Sequence, residues 1–406
     1  METSDTLNPL TDLSHLSRWD RLFIRVLANA RGGVVRLTLP TSQIIEVGKG
    51  GGDAVDLRMM EEDLSRTWLL GGAMAFAETF IEGKWTTSDL SGLLRILAVS
   101  TQQMGKFAKG TSLVIRRMDR MMHHLRRNTR NNARKNIEEH YDLSNEMYKT
   151  FLDPTMMYSS GIFKNPSDTL ADSQEAKTDR LIERLHLLPS DYVLEVGSGW
   201  GGCAIRMAQK TGCRVVSLTL SPSQQEEAVK RVKEAGLEDR VEIRLQDYRD
   251  VTGTFDHVIS IEMIEAVGHD YLPEYFRCVN EHLKSGGRFA LQAITIPDER
   301  YDNYNKSSDF IRKHIFPGGH LPCPSMLEKV RNDYTSLKEL DNFEFGKDYA
   351  ETLRRWRLNF FASLDKVREL GFDDSFIRKW HYYLAYCEAG FDTDMIHVRQ
   401  MCYEKP

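Results

Sequence analysis

Leu194-Glu195-Val196-Gly197-Ser198-Gly199-Trp200-Gly201-Gly202 decides the fold. The apolar run 192–196 ends in these glycines, and a helical pattern follows over 201–210. Gly197, Gly199 and Gly202 have the spacing of a nucleotide-binding turn, in which glycines permit a tight bend and close approach of backbone to ligand. A purely structural turn also explains such a loop. Working outward, 214–220 (RVVSLTL) is a second β-branched run, with a helical stretch after Pro222. Three further strand candidates are 241–245, 257–261 and 288–294, separated by helical pattern or by turns such as Gly286-Gly287. Strands alternating with helices imply βαβ units and a parallel sheet. The expected fold is α/β, a doubly wound, mostly parallel Rossmann-like sheet, with a smaller N-terminal domain before it.

Two details point away from a nicotinamide cofactor. That fingerprint wants an acidic residue about 20 positions on, at the end of the second strand. Here the strand ends Leu218-Thr219-Leu220-Ser221, without a carboxylate. Glu195 instead ends the first strand, where it can cap loop amides or receive a cationic group. This arrangement resembles the class I S-adenosylmethionine-dependent methyltransferases, whose ligand carries an ammonium and a sulfonium but no phosphate. Gln246-Asp247-Tyr248, after the third strand, offers an amide, a carboxylate and a ring to an adenine, although an ordinary strand-end turn explains the spacing equally well.

Composition narrows the classes further. The chain has 406 residues, with 54 Lys and Arg against 59 Asp and Glu, a net charge of −5. That is long enough for two or three domains and too acidic for a protein coated in nucleic acid. Six cysteines with no C-x-x-C pair suggest reduced thiols and no metal site. The N-terminus lacks the basic and apolar regions of a signal peptide. The most apolar stretch, 68–81, is broken by Glu78 and is shorter than the ~20 residues a spanning helix needs. Three segments are expected: 1–110 as an N-terminal lipid-binding and dimerisation domain, 111–135 as a basic amphipathic linker, and 136–406 as the catalytic domain.

Longer motifs make a family resemblance specific. They are His140-Tyr141-Asp142-Leu143-Ser144-Asn145, Met157-Tyr158-Ser159-Ser160-Gly161, the glycine loop, Leu218-Thr219-Leu220-Ser221 with Ser223-Gln224-Gln225, and Glu262-Met263-Ile264-Glu265-Ala266-Val267-Gly268. Ile315-Phe316-Pro317-Gly318-Gly319, Asp348-Tyr349-Ala350-Glu351-Thr352-Leu353 and Tyr382-Tyr383-Leu384 with Cys387 follow. In this order, over roughly 136–402, they resemble the cyclopropane-fatty-acyl-phospholipid synthases and the mycolic-acid-type acyl-chain methyltransferases. Leu70-Gly71-Gly72 and Glu82-Gly83-Lys84-Trp85-Thr86 resemble the extra N-terminal domain of the bacterial synthases.

The resemblance implies that a lipid double bond attacks the sulfonium methyl of S-adenosylmethionine and that the resulting carbocation loses a proton. Loss from the new methyl closes a cyclopropane; loss from a neighbouring carbon leaves a methyl- or methylene-branched chain. It also implies a bicarbonate ion as base, held by a Cys-containing loop, a Glu, a His and a Tyr. Matched to this chain, the Glu is Glu265 and the Tyr is Tyr349, whereas Ser160 replaces the Cys and Gln292 the His. Gln donates a hydrogen bond but cannot take a proton. The resemblance also places the motif that starts at His140 over the active site. The implied cofactor residues are Tyr158, Ser159, Glu195, Gly197, Gly199, Thr219, Gln224, Gln246 and Asp247. The expected product is the cyclopropane chain, with methylation without ring closure as the alternative.

Between 116 and 135 stand Arg116, Arg117, Arg120, Arg126, Arg127, Arg130, Arg134 and Lys135 against one acid, Asp119. Met118, Met121, Met122 and Leu125 form one apolar stripe at helical spacing. A basic helix with such a stripe reads as a membrane-surface binder or as a solvated interdomain helix. A phospholipid substrate favours the membrane, where each basic residue near an anionic surface adds about 1 kcal/mol. The expectation is a cytoplasmic enzyme peripheral on the inner membrane face, homodimeric as the family resemblance implies. The competing reading, an RNA methyltransferase, finds no aromatics interleaved with the arginines.

Overall fold

Unbroken apolar runs, buried on both faces, build the larger sheet. The computed structural model describes residues 13–50, 54–104, 144–306 and 308–406, so His140 and the arginines at 116, 117, 120, 126, 127 and 130 lie outside the described residues. The chain divides into two compact units. One takes the described residues up to 104 together with Gly371–Met395, and the other takes the described residues of 144–370 with Ile396–Pro406.

The first unit holds a four-stranded sheet of β1 (Gly33–Thr38), β2 (Ile44–Lys49), β3 (Val55–Met59) and β4 (Trp85–Thr86), in the order β2-β1-β3-β4. Trp68, Phe76, Phe80 and Trp85 form its aromatic core, and the two indole N–H groups donate to the Thr79 hydroxyl and the Phe76 carbonyl. The helix Leu64–Ile81 breaks at Gly72, whose φ of 62° and ψ of −149° only glycine adopts easily. Gly371–Met395, which the sequence expectation put in the catalytic domain, packs here instead. The helix Asp374–Asp392 is tied to this unit by Ser91 to Glu388, Arg95 to Asp392 and Arg378 to the Ile81 carbonyl.

The second unit is a seven-stranded sheet. Its strands are β5 (Tyr192–Val196), β6 (Arg214–Thr219), β7 (Val241–Leu245), β8 (Phe255–Ile261), β9 (Leu283–Thr295), β10 (Lys338–Glu344) and β11 (His397–Glu404). The order is β10-β11-β9-β8-β5-β6-β7; β11 runs antiparallel to β9 and β10, and the other neighbours are parallel. Val193, Val215 and Ile259 point into one core with the helices Leu170–Leu185, Gly202–Thr211 and Pro222–Glu234. Leu194, Val216 and Val258 point into the other, against Leu272, Tyr275, Phe276 and Val279. Alternate residues of the same strands thus bury against opposite helical layers, which is a doubly wound sheet. The chain leaves β5 towards β6 and β7 and returns through β8 to the other side. The crevice beyond the ends of β5 and β8 is therefore the topological switch point, where α/β sheets bind ligands.

Candidate active site

The glycine loop opens that crevice. Gly197, Gly199 and Gly201 have φ of 100°, 49° and 84°. A Cβ at Gly197 would lie 3.1 Å from Met263, so the bare backbone keeps the crevice open. Trp200 of this loop donates to Asn145, the described end of the His140 motif, at 2.8 Å. All nine residues expected at the cofactor line one pocket here: Tyr158, Ser159, Glu195, Gly197, Gly199, Thr219, Gln224, Gln246 and Asp247.

Their partners say what each can still offer. Glu195 is buried and accepts from the Ser217 hydroxyl; burial pushes its carboxyl up to about 7, against the Ser217 and Cys203 hydrogen bonds and the Lys177 charge. A cationic ligand is what would draw this carboxyl into its charged form. Thr219 and Gln224 bond each other at 2.9 Å. Asp247 does not present a free carboxylate, because Arg249 holds both its oxygens. Lys177 was not foreseen. It is buried in the pocket wall, donates to the Ser159 hydroxyl at 2.7 Å, and is pulled down to about 8 by burial against the pull of nearby acids such as Glu262.

At the end of β8 a second carboxylate meets the same pocket, that of Glu262. Its Oε1 accepts from the Ser160 backbone N–H at 2.9 Å and from Gln292 Nε2 at 2.7 Å. Its Oε2 accepts from the Tyr349 hydroxyl at 2.7 Å. Burial raises its pKa, and these three donors, with the Lys177 charge, hold it back. Ser160, Gln292 and Tyr349 are three of the residues expected around an anion, and they converge on Glu262, not on Glu265. Glu265 sits in the following 3-10 turn, outside the pocket lining. Its Oε1 accepts from the Ile294 N–H, and its buried Oε2 finds no hydrogen-bond partner among the described residues. Burial, then the Glu262 charge, pushes Glu265 up to about 8. No sequence sign singled out Glu262: it follows β8 directly, whereas Glu195 lies inside β5 as its last-but-one residue.

A glycine turn at the switch point, an acidic strand end and an open crevice define an S-adenosylmethionine-dependent methyltransferase of class I. The comparisons carry this further. Residues 128–401 match the mycolic acid cyclopropane synthetase family, and the chain belongs to it. It is 40% identical over 347 residues to the tuberculostearic acid methyltransferase of Mycobacterium tuberculosis, covering 81% of this chain and 78% of that protein. It is 32% identical over 357 residues to the cyclopropane-fatty-acyl-phospholipid synthase of Escherichia coli, covering 87% and 89%. Among solved structures, a mycolic acid cyclopropane synthase complexed with SAH and CTAB superposes with a TM-score of 0.63 at 28% identity, over 67% of this chain and 98% of that one. S-adenosylmethionine is the co-substrate of this enzyme.

Proposed function

We propose that the enzyme transfers the methyl carbon of S-adenosylmethionine to the double bond of an unsaturated phospholipid acyl chain. The observation that carries this reading is the Glu262 carboxylate in the wall of the cofactor pocket, whose hydrogen-bond donors among the described residues, the Ser160 N–H, the Gln292 amide and the Tyr349 hydroxyl, are all neutral. An isolated alkene is a weak nucleophile whose attack on the methyl leaves a carbocation. A fixed, partly desolvated negative charge favours that cation far more than water does. The relative named a cyclopropane-fatty-acyl-phospholipid synthase supports the phospholipid as acceptor.

The proton that leaves sets the product. The branched chain is our first reading, because the relative at 40% identity is named a methyltransferase. This reverses the order expected from sequence. The cyclopropane is the second reading, supported by the relative at 32% identity. The basic segment 116–135 is proposed to dock the enzyme on an anionic membrane, and a homodimer is part of the same proposal.

The test is incorporation of labelled methyl into vesicles of monounsaturated, partly anionic phospholipid. Saponified chains one CH2 heavier are expected. A branched alkene then takes up hydrogen under mild catalysis and a ring does not. Intact S-adenosylhomocysteine binding with no label in lipid would overturn the proposal.

A further inference from the structure

Glu262 has a backbone that its side chain does not explain. Its φ is 48°, a left-handed conformation that costs a non-glycine residue about 1–2 kcal/mol. Such strain persists where the surroundings enforce it and is a pointer to function. Here the strain turns the side chain into a ready-made cradle of three donors: the Ser160 N–H, the Gln292 amide and the Tyr349 hydroxyl.

The Gln292 amide has only one way to point. Arg180 donates to Gln400 Oε1 at 2.9 Å, and Gln400 Nε2 donates to Gln292 Oε1 at 2.9 Å. Gln292 Nε2 is left to donate to Glu262 at 2.7 Å. Gln292 and Gln400 are directly paired across β9 and β11, and both are fully buried. Asp341 anchors the far end by binding Arg180 at 2.6 Å. The chain runs from the Arg180 guanidinium through two amides to Glu262, with side bonds from Gln400 Nε2 to the Lys177 carbonyl and from Gln292 Nε2 to the Ser160 carbonyl, and it presents a donor to the carboxylate at its end.

A free bicarbonate does not fit this arrangement. The donors that would hold it are spent on Glu262, and Gln292 has no proton-accepting nitrogen. We infer that the Glu262 carboxylate is itself the general base of the reaction, a built-in replacement for a dissociable anion. The π electrons of the acyl double bond form the new C–C bond to the methyl carbon. The S–CH3 bond breaks with its electrons on sulfur, giving S-adenosylhomocysteine and a carbocation. A Glu262 oxygen then takes a proton, and the C–H electrons close the ring or form a new double bond. The proton passes to water, so no oxidant, reductant or added base is consumed. This inference rests on the proposed alkene methylation and names its base.

Three proteins test it: the wild type, Glu262→Gln and Glu262→Gly, assayed on monounsaturated phospholipid vesicles in carbon-dioxide-depleted buffer and again with added bicarbonate. Wild-type turnover is expected to be the same in both. Glu262→Gln is expected to lose ~100-fold or more of kcat, the scale of a removed general base, and bicarbonate should not restore it. Glu262→Gly relieves the left-handed strain and vacates the cradle; its weak activity is expected to rise ~10-fold or more with bicarbonate. S-adenosylhomocysteine affinity, measured by calorimetry, should stay within a few-fold in all three, which separates lost chemistry from lost folding. A wild type that fails on removal of bicarbonate, or a Glu262→Gln enzyme with near-normal turnover, overturns the inference alone. A wild type that methylates no lipid under either condition overturns the functional reading beneath it.

Discussion

The Tyr349 hydroxyl donates to Glu262 Oε2 across 2.7 Å, joining the helix Gly346–Ala362 to the end of β8. The two residues are 87 positions apart in sequence, yet this contact fixes one oxygen of the carboxylate that faces the cofactor pocket. A neutral donor stabilises the negative charge without cancelling it. That matters where the charge must answer a cation formed during the reaction.

Removing the donor should therefore show in both rate and pH dependence. Tyr349→Phe leaves the ring packed near Trp356 and deletes only the hydroxyl. A hydrogen bond to a charged group contributes about 1.5–3 kcal/mol, so kcat should fall roughly 10- to 100-fold. The hydrogen bond lowers the Glu262 pKa, so its loss raises it, and the ascending limb of the pH–rate profile should move to higher pH. Glu265 and Lys177 titrate close by, and the limb is compared between wild type and variant to cancel their common effect. An unmoved profile would reduce Tyr349 to a packing residue.

Gln400 acts one step further out, as a positioning residue. Gln400→Leu removes the donor that fixes the Gln292 amide, and Gln292 is then free to turn its oxygen towards Glu262. That flip would replace an attraction by a repulsion. We expect about a 10-fold loss of kcat with KM for S-adenosylmethionine unchanged, and an ascending pH limb shifted upward as in Tyr349→Phe. Gln400→Leu with wild-type kcat and pH profile would show that the chain from Arg180 plays no part in the reaction.

Much of the fold was legible because buried parallel strands read as unbroken apolar runs. The expected 192–196 and 241–245 coincide with β5 and β7, and 214–220 overruns β6 by one residue. β10 and β11 were not legible. β10 is an edge strand with nearly every residue exposed, so no apolar pattern marks it. β11 carries Arg399 and Gln400 in its middle and is reached only after the chain has passed through Gly371–Met395 of the other unit. Part of the crevice lining was readable because Glu195, Thr219 and Gln246 stand at the ends of consecutive strands. Glu262 was not, because only Met263 and Ile264 separate it from Glu265 and spacing alone cannot say which carboxylate faces the pocket. The left-handed turn at Glu262 settles that, and no sequence pattern announces it.

Glu195 tests the cofactor side of the crevice. Its carboxyl is buried beside the glycine loop, within the pocket wall. If it meets the cationic methionine end of the ligand, Glu195→Gln should weaken binding of both S-adenosylmethionine and S-adenosylhomocysteine by about 10-fold, since both carry the ammonium and a charged hydrogen bond contributes about 1.5 kcal/mol or more. Calorimetry at neutral pH measures this directly, and unchanged affinities would leave Glu195 as a loop-capping group.

Stability against pH gives a test independent of any lipid. Glu265 is raised from the ordinary 4.5 to about 8 and Glu195 to about 7, both chiefly by burial. In each case the folded state binds the proton more tightly than the unfolded chain. The contribution is fully present below the unfolded value and is lost as pH rises through the folded one. The melting temperature of the ligand-free protein should therefore fall between about pH 5 and pH 8, the window in which Lys177 is still charged. Glu265→Gln keeps an acceptor for the Ile294 N–H and cannot ionise. It should melt close to the wild type at pH 5, melt higher at pH 8, and show a flatter slope between. Parallel melting curves for the two proteins would show that Glu265 does not titrate in this window.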